Sequence, residues 1–190
     1  MDTSYILPGI LILAAAFIVY TYNRLVGLRN MADTAYANID TLLQKRFDLV
    51  PNLVSTVKGY MKHERELLET ITRARTEWLK ASTIHENAGA DETATRALKT
   101  LFAVSENYPE LKANENFMML QEELAGIENK IAYARQRYNR TIMVLNTVIE
   151  RFPTNLIARL FKFETREFFA VESERARAVP NVQIQEGDRK

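Results

Sequence analysis

Apolar positions along this chain follow two regimes. From Thr3 to Asn23 no side chain is charged, and these twenty-one residues rise about 31 Å as a helix, enough to cross the hydrocarbon core of a bilayer. From Leu25 onward, small or apolar residues return at 25, 28, 32, 35, 39, 42, 49 and 53, the alternating three-and-four spacing of a heptad seam. The pattern predicts one membrane-spanning helix that runs straight into a coiled-coil-like stalk. Pro8 and Gly9 lie near the outer end of the span, where a missing helix bond is easiest to tolerate. Tyr5 at one end and Tyr20 and Tyr22 at the other suit amphipathic rings at headgroup level.

Three readings of the apolar segment compete. A cleaved signal peptide would use Ala14-Ala15-Ala16, but no Lys or Arg precedes the run and further apolar residues follow the alanines. A buried core helix rarely stays uncharged for this length. A retained single-pass anchor fits best, and without cysteine it is not a lipoprotein anchor. Arg24 and Arg29 follow the span, with Lys45 and Arg46 further on, and only Asp2 precedes it. The positive-inside rule then places the N-terminus outside and the C-terminal domain in the cytoplasm. The expected organisation is an anchor over 1–23, a helical bundle over 24–170 and a polar tail over 171–190.

The stalk seam has one discordant position, Arg46, which is either a long side chain snorkelling from the seam or a register-setting polar residue paired with a carboxylate. Pro51 is expected to kink the helix, with apolar spacing continuing it to about Ala81. Ser82 to Glu92 reads as a loop, Asp91 as an N-cap, and Thr93 to Asn107 as a shorter helix that Tyr108-Pro109 ends. Asn114 caps the next helix, whose seam is Phe117, Leu120, Leu124, Ile127, Ile131, Ala134, Tyr138, Thr141, Leu145, Val148 and Phe152. Such a seam needs a long partner, and the stalk is the available one. Asn155 to Phe163 forms a short amphipathic helix that either caps the bundle or lies on the membrane surface. Phe168 and Phe169 are expected to cover the bundle end, and Val182-Gln-Ile184 to lie extended. The fold class is all-α: a transmembrane helix continuing into an antiparallel bundle of long helices.

Composition agrees. Six glycines and five prolines in 190 residues are few for a mostly helical chain. Charges nearly cancel, 25 basic against 24 acidic, so no strongly basic face is implied and nucleic acid is not an expected partner. Chemistry is sparse. Neither His63 nor His85 has the helical partner that a zinc protease or a di-iron site requires. Scattered glycines build no phosphate loop, and no nucleophile elbow is present. Glu122, Glu123 and Glu128 form an acidic cluster, and Arg135, Arg137 and Arg140 a basic run; both read first as solvated helix surface. Asp48, Asn52 and Lys58 flank Pro51 and are expected to face Glu128, Asn129, Arg135 or Asn139, in a buried polar layer with Arg46 that fixes register.

Several stretches carry a family resemblance. Tyr22-Asn-Arg-Leu-Val-Gly-Leu-Arg-Asn30, Arg46-Phe-Asp-Leu-Val-Pro-Asn-Leu-Val54, Val57-Lys-Gly-Tyr60 and His63-Glu64 are similar to the LemA family in order and spacing. Tyr108-Pro-Glu-Leu-Lys-Ala-Asn-Glu115, Leu120-Gln-Glu-Glu-Leu124, Glu128-Asn-Lys-Ile131, Ala134-Arg135, Tyr138-Asn139 and Phe152-Pro-Thr-Asn155 extend it, over about residues 20–182. The resemblance implies an N-terminal anchor on long antiparallel helices in a bacterial inner membrane. It supplies no catalytic set, cofactor or metal. A branch that looks like the family is linked to magnetosome membrane formation. The expectation is a non-enzymatic, membrane-anchored scaffold that self-assembles or binds another membrane protein, with no small-molecule substrate; an adaptor or regulator of a membrane protease or signalling system is the alternative.

Overall fold

A computed structural model describes residues 6–170. They form six helices: α1 (Ile6–Lys58), α2 (Arg65–Lys80), α3 (Ile84–Ser105), α4 (Pro109–Lys112), α5 (Glu115–Glu150) and α6 (Thr154–Leu160). No strand occurs among the described residues. The expectations for residues 1–5 and for the tail, Val182-Gln-Ile184 included, lie outside them.

Helix α1 has 53 residues, about 80 Å at helical rise. From Ile6 to Tyr20 its side chains are exposed, apart from the partly shielded Gly9; the first buried residue is Thr21. Helix α1 is the one helix among the described residues long and apolar enough to cross a membrane, and its apolar window is almost entirely unburied. Beyond it, Leu25, Ala32, Ala35, Ile39, Leu43, Arg46, Phe47, Val50, Leu53 and Val57 are buried. The predicted seam holds at 25, 32, 35, 39, 46 and 53, but Leu42 and Leu49 yield to Leu43, Phe47 and Val50. A straight helix at 3.6 residues per turn drifts away from a 3.5-residue seam, and further helices cover its second face here.

Pro51 neither ends the helix nor separates its segments: α1 continues to Lys58. The break falls at residues 59–64 instead, where the Val57 carbonyl accepts from both Tyr60 N (2.9 Å) and Met61 N (3.0 Å). The expected continuous helix to Ala81 is therefore two helices, with α2 folded back along α1. Folding back stacks Trp78 on Phe47, ring centroids 5.0 Å apart, and buries Met61, Leu68, Ile71 and Ala74. A continuous helix would leave these side chains in water, and burying large apolar side chains outweighs a few lost helical bonds.

The expected loop over 82–92 is helix from Ile84 onward. Thr83 caps α3 by accepting from Glu86 N (3.1 Å), while the Glu86 carboxylate accepts from Ser82 N (2.7 Å) and Thr83 N (3.1 Å). Thr83-Ile-His-Glu86 is a capping box, and its donors hold the Glu86 carboxyl below the usual carboxylate range. Asp91 is accordingly interior and buried, not a cap. Asn114 does cap α5, accepting from Phe117 N (3.0 Å).

Contacts between α1 and α5 fall in opposite numerical order. Tyr60 meets Asn114, Arg46 meets Glu128 and Tyr36 meets Tyr138. On the outer half α2 and α3 complete the packing. On the half nearest the apolar rod, the segment after α6 does so: Asn146 pairs with the backbone of Arg166, Tyr138 donates to Glu167 O (3.0 Å), and Arg166 pairs with Asp33. Phe169 is buried beside Asn139, so it closes the flank of the bundle and not its end, while Phe168 is exposed. Phe152, expected in the α5 seam, is 75% exposed, because α5 stops at Glu150 and the chain turns away.

Candidate functional site

The most unusual feature of the core is a layer of charge. Arg46 is 2% exposed and projects from α1 between α3 and α5. One guanidinium nitrogen donates to Asp91 Oδ1 (2.6 Å) and Thr95 Oγ1 (2.9 Å), and the other pairs with Glu128 Oε2 (2.7 Å). Thr95 Oγ1 also donates to Glu128 Oε2 (3.2 Å). Arg135 reaches the second oxygen of Asp91 at 3.3 Å and lies over the Phe169 ring, 5.3 Å from its centroid. Two guanidiniums and two carboxylates thus tie three helices and the C-terminal segment together at one level.

Such a layer persists because it is nearly complete. A buried charge is tolerable only when paired and hydrogen-bonded. Arginine suits the position because its planar fork presents several donors in fixed directions. Within the layer, Arg46 Nε is the one buried side-chain polar atom without a partner among the described residues. Burial pushes the Asp91 carboxyl up from its ordinary value, and the charges of Arg46 and Arg135 pull against that without cancelling it. Both Asp91 oxygens already accept from guanidinium, so the layer fixes charge in place and presents no unengaged acid beside a base.

The eight residues expected in a polar layer divide. Arg46, Glu128 and Arg135 meet in it, through Asp91 and Thr95. Asn139 lies further along α5 and clasps the C-terminal segment, donating to Phe169 O (3.2 Å) and accepting from Phe169 N (2.8 Å). Asp48, Asn52, Lys58 and Asn129 are exposed; their helix faces turn outward, and they do not join the buried layer. Asp91 and Thr95 escaped sequence reasoning, yet a signal existed. Along α3 the buried residues Asn87, Asp91, Ala94, Leu98, Leu101 and Ser105 step by four and three, so Asp91 breaks its seam as Arg46 breaks the α1 seam, with opposite charge.

The remaining candidates disperse. Glu122 and Glu123 are exposed while Glu128 is committed to Arg46, and Arg137 and Arg140 are exposed while Arg135 turns inward. His63 and His85 are exposed, and no group of His, Asp and Glu among the described residues is arranged to hold a metal. Helix α6 divides between its two expected roles: Ile157 and Ala158 are buried against the bundle, whereas Leu156, Leu160 and Phe161 are exposed.

The profile of the LemA family matches residues 35–184. Magnetosome proteins MamQ 1 and MamQ 2 of Paramagnetospirillum magneticum are each 24% identical, over 81% of this chain and 66% of theirs. Protein LemA of Metamycoplasma hominis is 27% identical, over 90% of this chain and 80% of its own. The chain spans just under two thirds of the length of the magnetosome relatives.

Proposed function

This chain belongs to the LemA family, and from that premise we propose that it is a non-enzymatic scaffold anchored in a bacterial inner membrane by one span. The observation that carries the proposal is α1 itself. Its first fifteen described residues are apolar and bare, and the same helix then becomes a central element of a tightly packed domain. Bare apolar side chains at this density need lipid or protein around them. In this reading the span carries an antiparallel, coiled-coil-like bundle, and Arg24 and Arg29 keep that bundle cytoplasmic with the N-terminus outside. The magnetosome names of two relatives favour a part in shaping or organising membrane, exerted through self-assembly or through another membrane protein. The charge layer serves that role by fixing one register of the long helices.

A second reading, an adaptor for a membrane protease or signalling system, draws on a groove of about 810 Å³ at the far end of α1. Met61 and Leu68 form its floor, and Lys58, Lys62, Arg65 and Arg73 line it beside one carboxylate, Glu69, which pairs with Arg65; the net charge is basic and suits an acidic partner. Purification of the full-length protein in mild detergent, with measurement of its mass and its co-eluting proteins, separates the readings. A homo-oligomer supports the scaffold, and stoichiometric co-elution of a protease or receptor supports the adaptor. A lone monomer, with no cross-linked product in native membranes, removes both.

A further inference from the structure

Helix α6 lies where the bare part of α1 enters the bundle. The Tyr22 ring is 4.7 Å from Phe161 and 5.9 Å from Phe163, centroid to centroid. The Arg29 guanidinium sits 5.5 Å from the Phe163 centroid. Only one side of α6 is used for packing. The other presents Leu156 (58% exposed) and Leu160 (69%), with Phe152 (75%) just ahead of it and Phe161, which touches Tyr22 yet is 45% exposed, just behind. Arg151, Arg159 and Lys162 are exposed among them.

The end of α6 is built to hold this arrangement. Phe163 N donates to Ala158 O (2.8 Å) and Lys162 N to Arg159 O (3.2 Å), the paired bonds of a Schellman cap. Lys162 occupies the left-handed position of that cap, at φ 56°. Glycine takes such a position at no steric cost, whereas a lysine is strained there. A strained side chain kept at a surface turn points to a task for its charge.

We propose that α6, together with Phe152, is a foot that rests in the membrane interface and engages anionic lipid headgroups. Leu156, Leu160, Phe161 and Phe152 enter the boundary between headgroups and acyl chains, and Arg151, Arg159 and Lys162 meet the phosphates. The proposal rests on the anchoring reading above. Continuity with the rod identifies lipid as the occupant. Thr3 to Asn23 carries no charge and as a helix rises about 31 Å, matching a hydrocarbon thickness of about 30 Å, so in the anchoring reading the span ends beside Tyr22, and α6 packs on Tyr22 with no spacer between. The bilayer surface must therefore lie at the level of α6. Apolar residues on one face with cations beside them are what that depth selects.

The chain has no cysteine, so single cysteines can report position in the full-length protein. Leu160→Cys, Leu13→Cys in the rod and Leu79→Cys on α2 are each labelled with bimane. Each protein is then reconstituted in phosphatidylcholine vesicles containing phosphatidylglycerol and lipids with nitroxide at shallow or deep positions. Shallow nitroxide should quench the Leu160 probe at least about threefold more than the Leu79 probe, as interfacial burial requires. Arg159→Glu with Lys162→Glu should cut that quenching by about half or more, with rising salt acting likewise. Strong quenching at Leu13 with none at Leu160 overturns the foot and leaves the anchor standing. No quenching at Leu13 removes the anchor and the foot with it. A Leu160 probe untouched by lipid nitroxide but shielded from iodide assigns the face to a protein surface and overturns the proposal. Undiminished quenching after charge reversal overturns the assignment of anionic headgroups.

Discussion

Arg46 shows how much one discordant residue can say. It was legible because a heptad leaves few places for a guanidinium, and its partner Asp91 breaks a seam of its own. Asp91 stayed hidden because the polar residues before it resemble a loop, and because a carboxylate just ahead of an apparent helix start at Thr93 resembles a cap. Asp48 and Asn52 misled for the opposite reason: closeness in sequence to Pro51 says nothing about which helix face a residue occupies. Since the layer is nearly complete, removing one member should cost far more than replacing Arg46 and its two carboxylate partners together. Arg46→Ala leaves buried Asp91 with only the longer contact to Arg135 and is expected to lower stability by about 3–5 kcal/mol. The combined Arg46→Met, Asp91→Leu and Glu128→Gln variant should stay within about 2 kcal/mol of the parent. Urea melts of both proteins in detergent check this, and equal losses would show that the layer is not acting as a unit. Tyr138 gives a second test. Its buried phenol donates to Glu167 O, and burial pushes its pKa up to about 12. An unfolded tyrosine ionises near pH 10, so from about pH 10 to pH 12 the unfolded chain sheds a proton that the folded one keeps. Stability should fall across that window, by up to about 2 kcal/mol from this residue. Tyr138→Phe should be less stable at neutral pH but show a shallower alkaline decline.

Helix α5 and the inner part of α1 were legible because each keeps an apolar seam over many turns and α5 begins at a strong cap. The helical character of 65–80 and 93–105 was legible too, but the break between α1 and α2 was not, because what ends α1 is a tertiary gain. The stack of Trp78 on Phe47 and the burial of Met61 become visible only when residues far apart in sequence are placed together. Gly59 is not forcing the break: its backbone needs no positive φ, and a Cβ there meets nothing within 4 Å. Gly59→Ala should therefore be neutral or stabilise by up to about 1 kcal/mol, whereas Trp78→Ala should cost about 3 kcal/mol or more. Thermal melts that reverse this order would place the cause in the local chain. The start of α3 was readable in principle, since Thr83 and Glu86 have capping-box spacing, but a polar stretch with a glycine obscured it. Thr83→Ala removes the cap and should cost about 1 kcal/mol. At the other end of the molecule, Lys162→Gly relieves a left-handed lysine and should stabilise by about 1 kcal/mol. The same change should weaken engagement with anionic vesicles, so stability and membrane contact move in opposite directions.

At the scale of the whole molecule, one uninterrupted helix joins the apolar rod to the far tip, so the domain cannot swivel independently of that rod. From Thr21 to Lys58 α1 rises about 57 Å, and α5 runs beside it for most of that length. A foot on one side of the rod would fix which face of the stalk leans toward the bilayer, and a lateral partner would then meet every copy in the same orientation. An upright stalk of this kind places the turn after α1 far from the lipid. Lys62 is exposed at that turn, and a donor dye on Lys62→Cys should transfer little energy to acceptor-labelled lipids, as for a separation of about 50 Å. A donor on Leu160→Cys in the same vesicles should transfer almost completely. Equal, high transfer from both sites would mean that the bundle lies along the membrane, with α1 bent near Asn23.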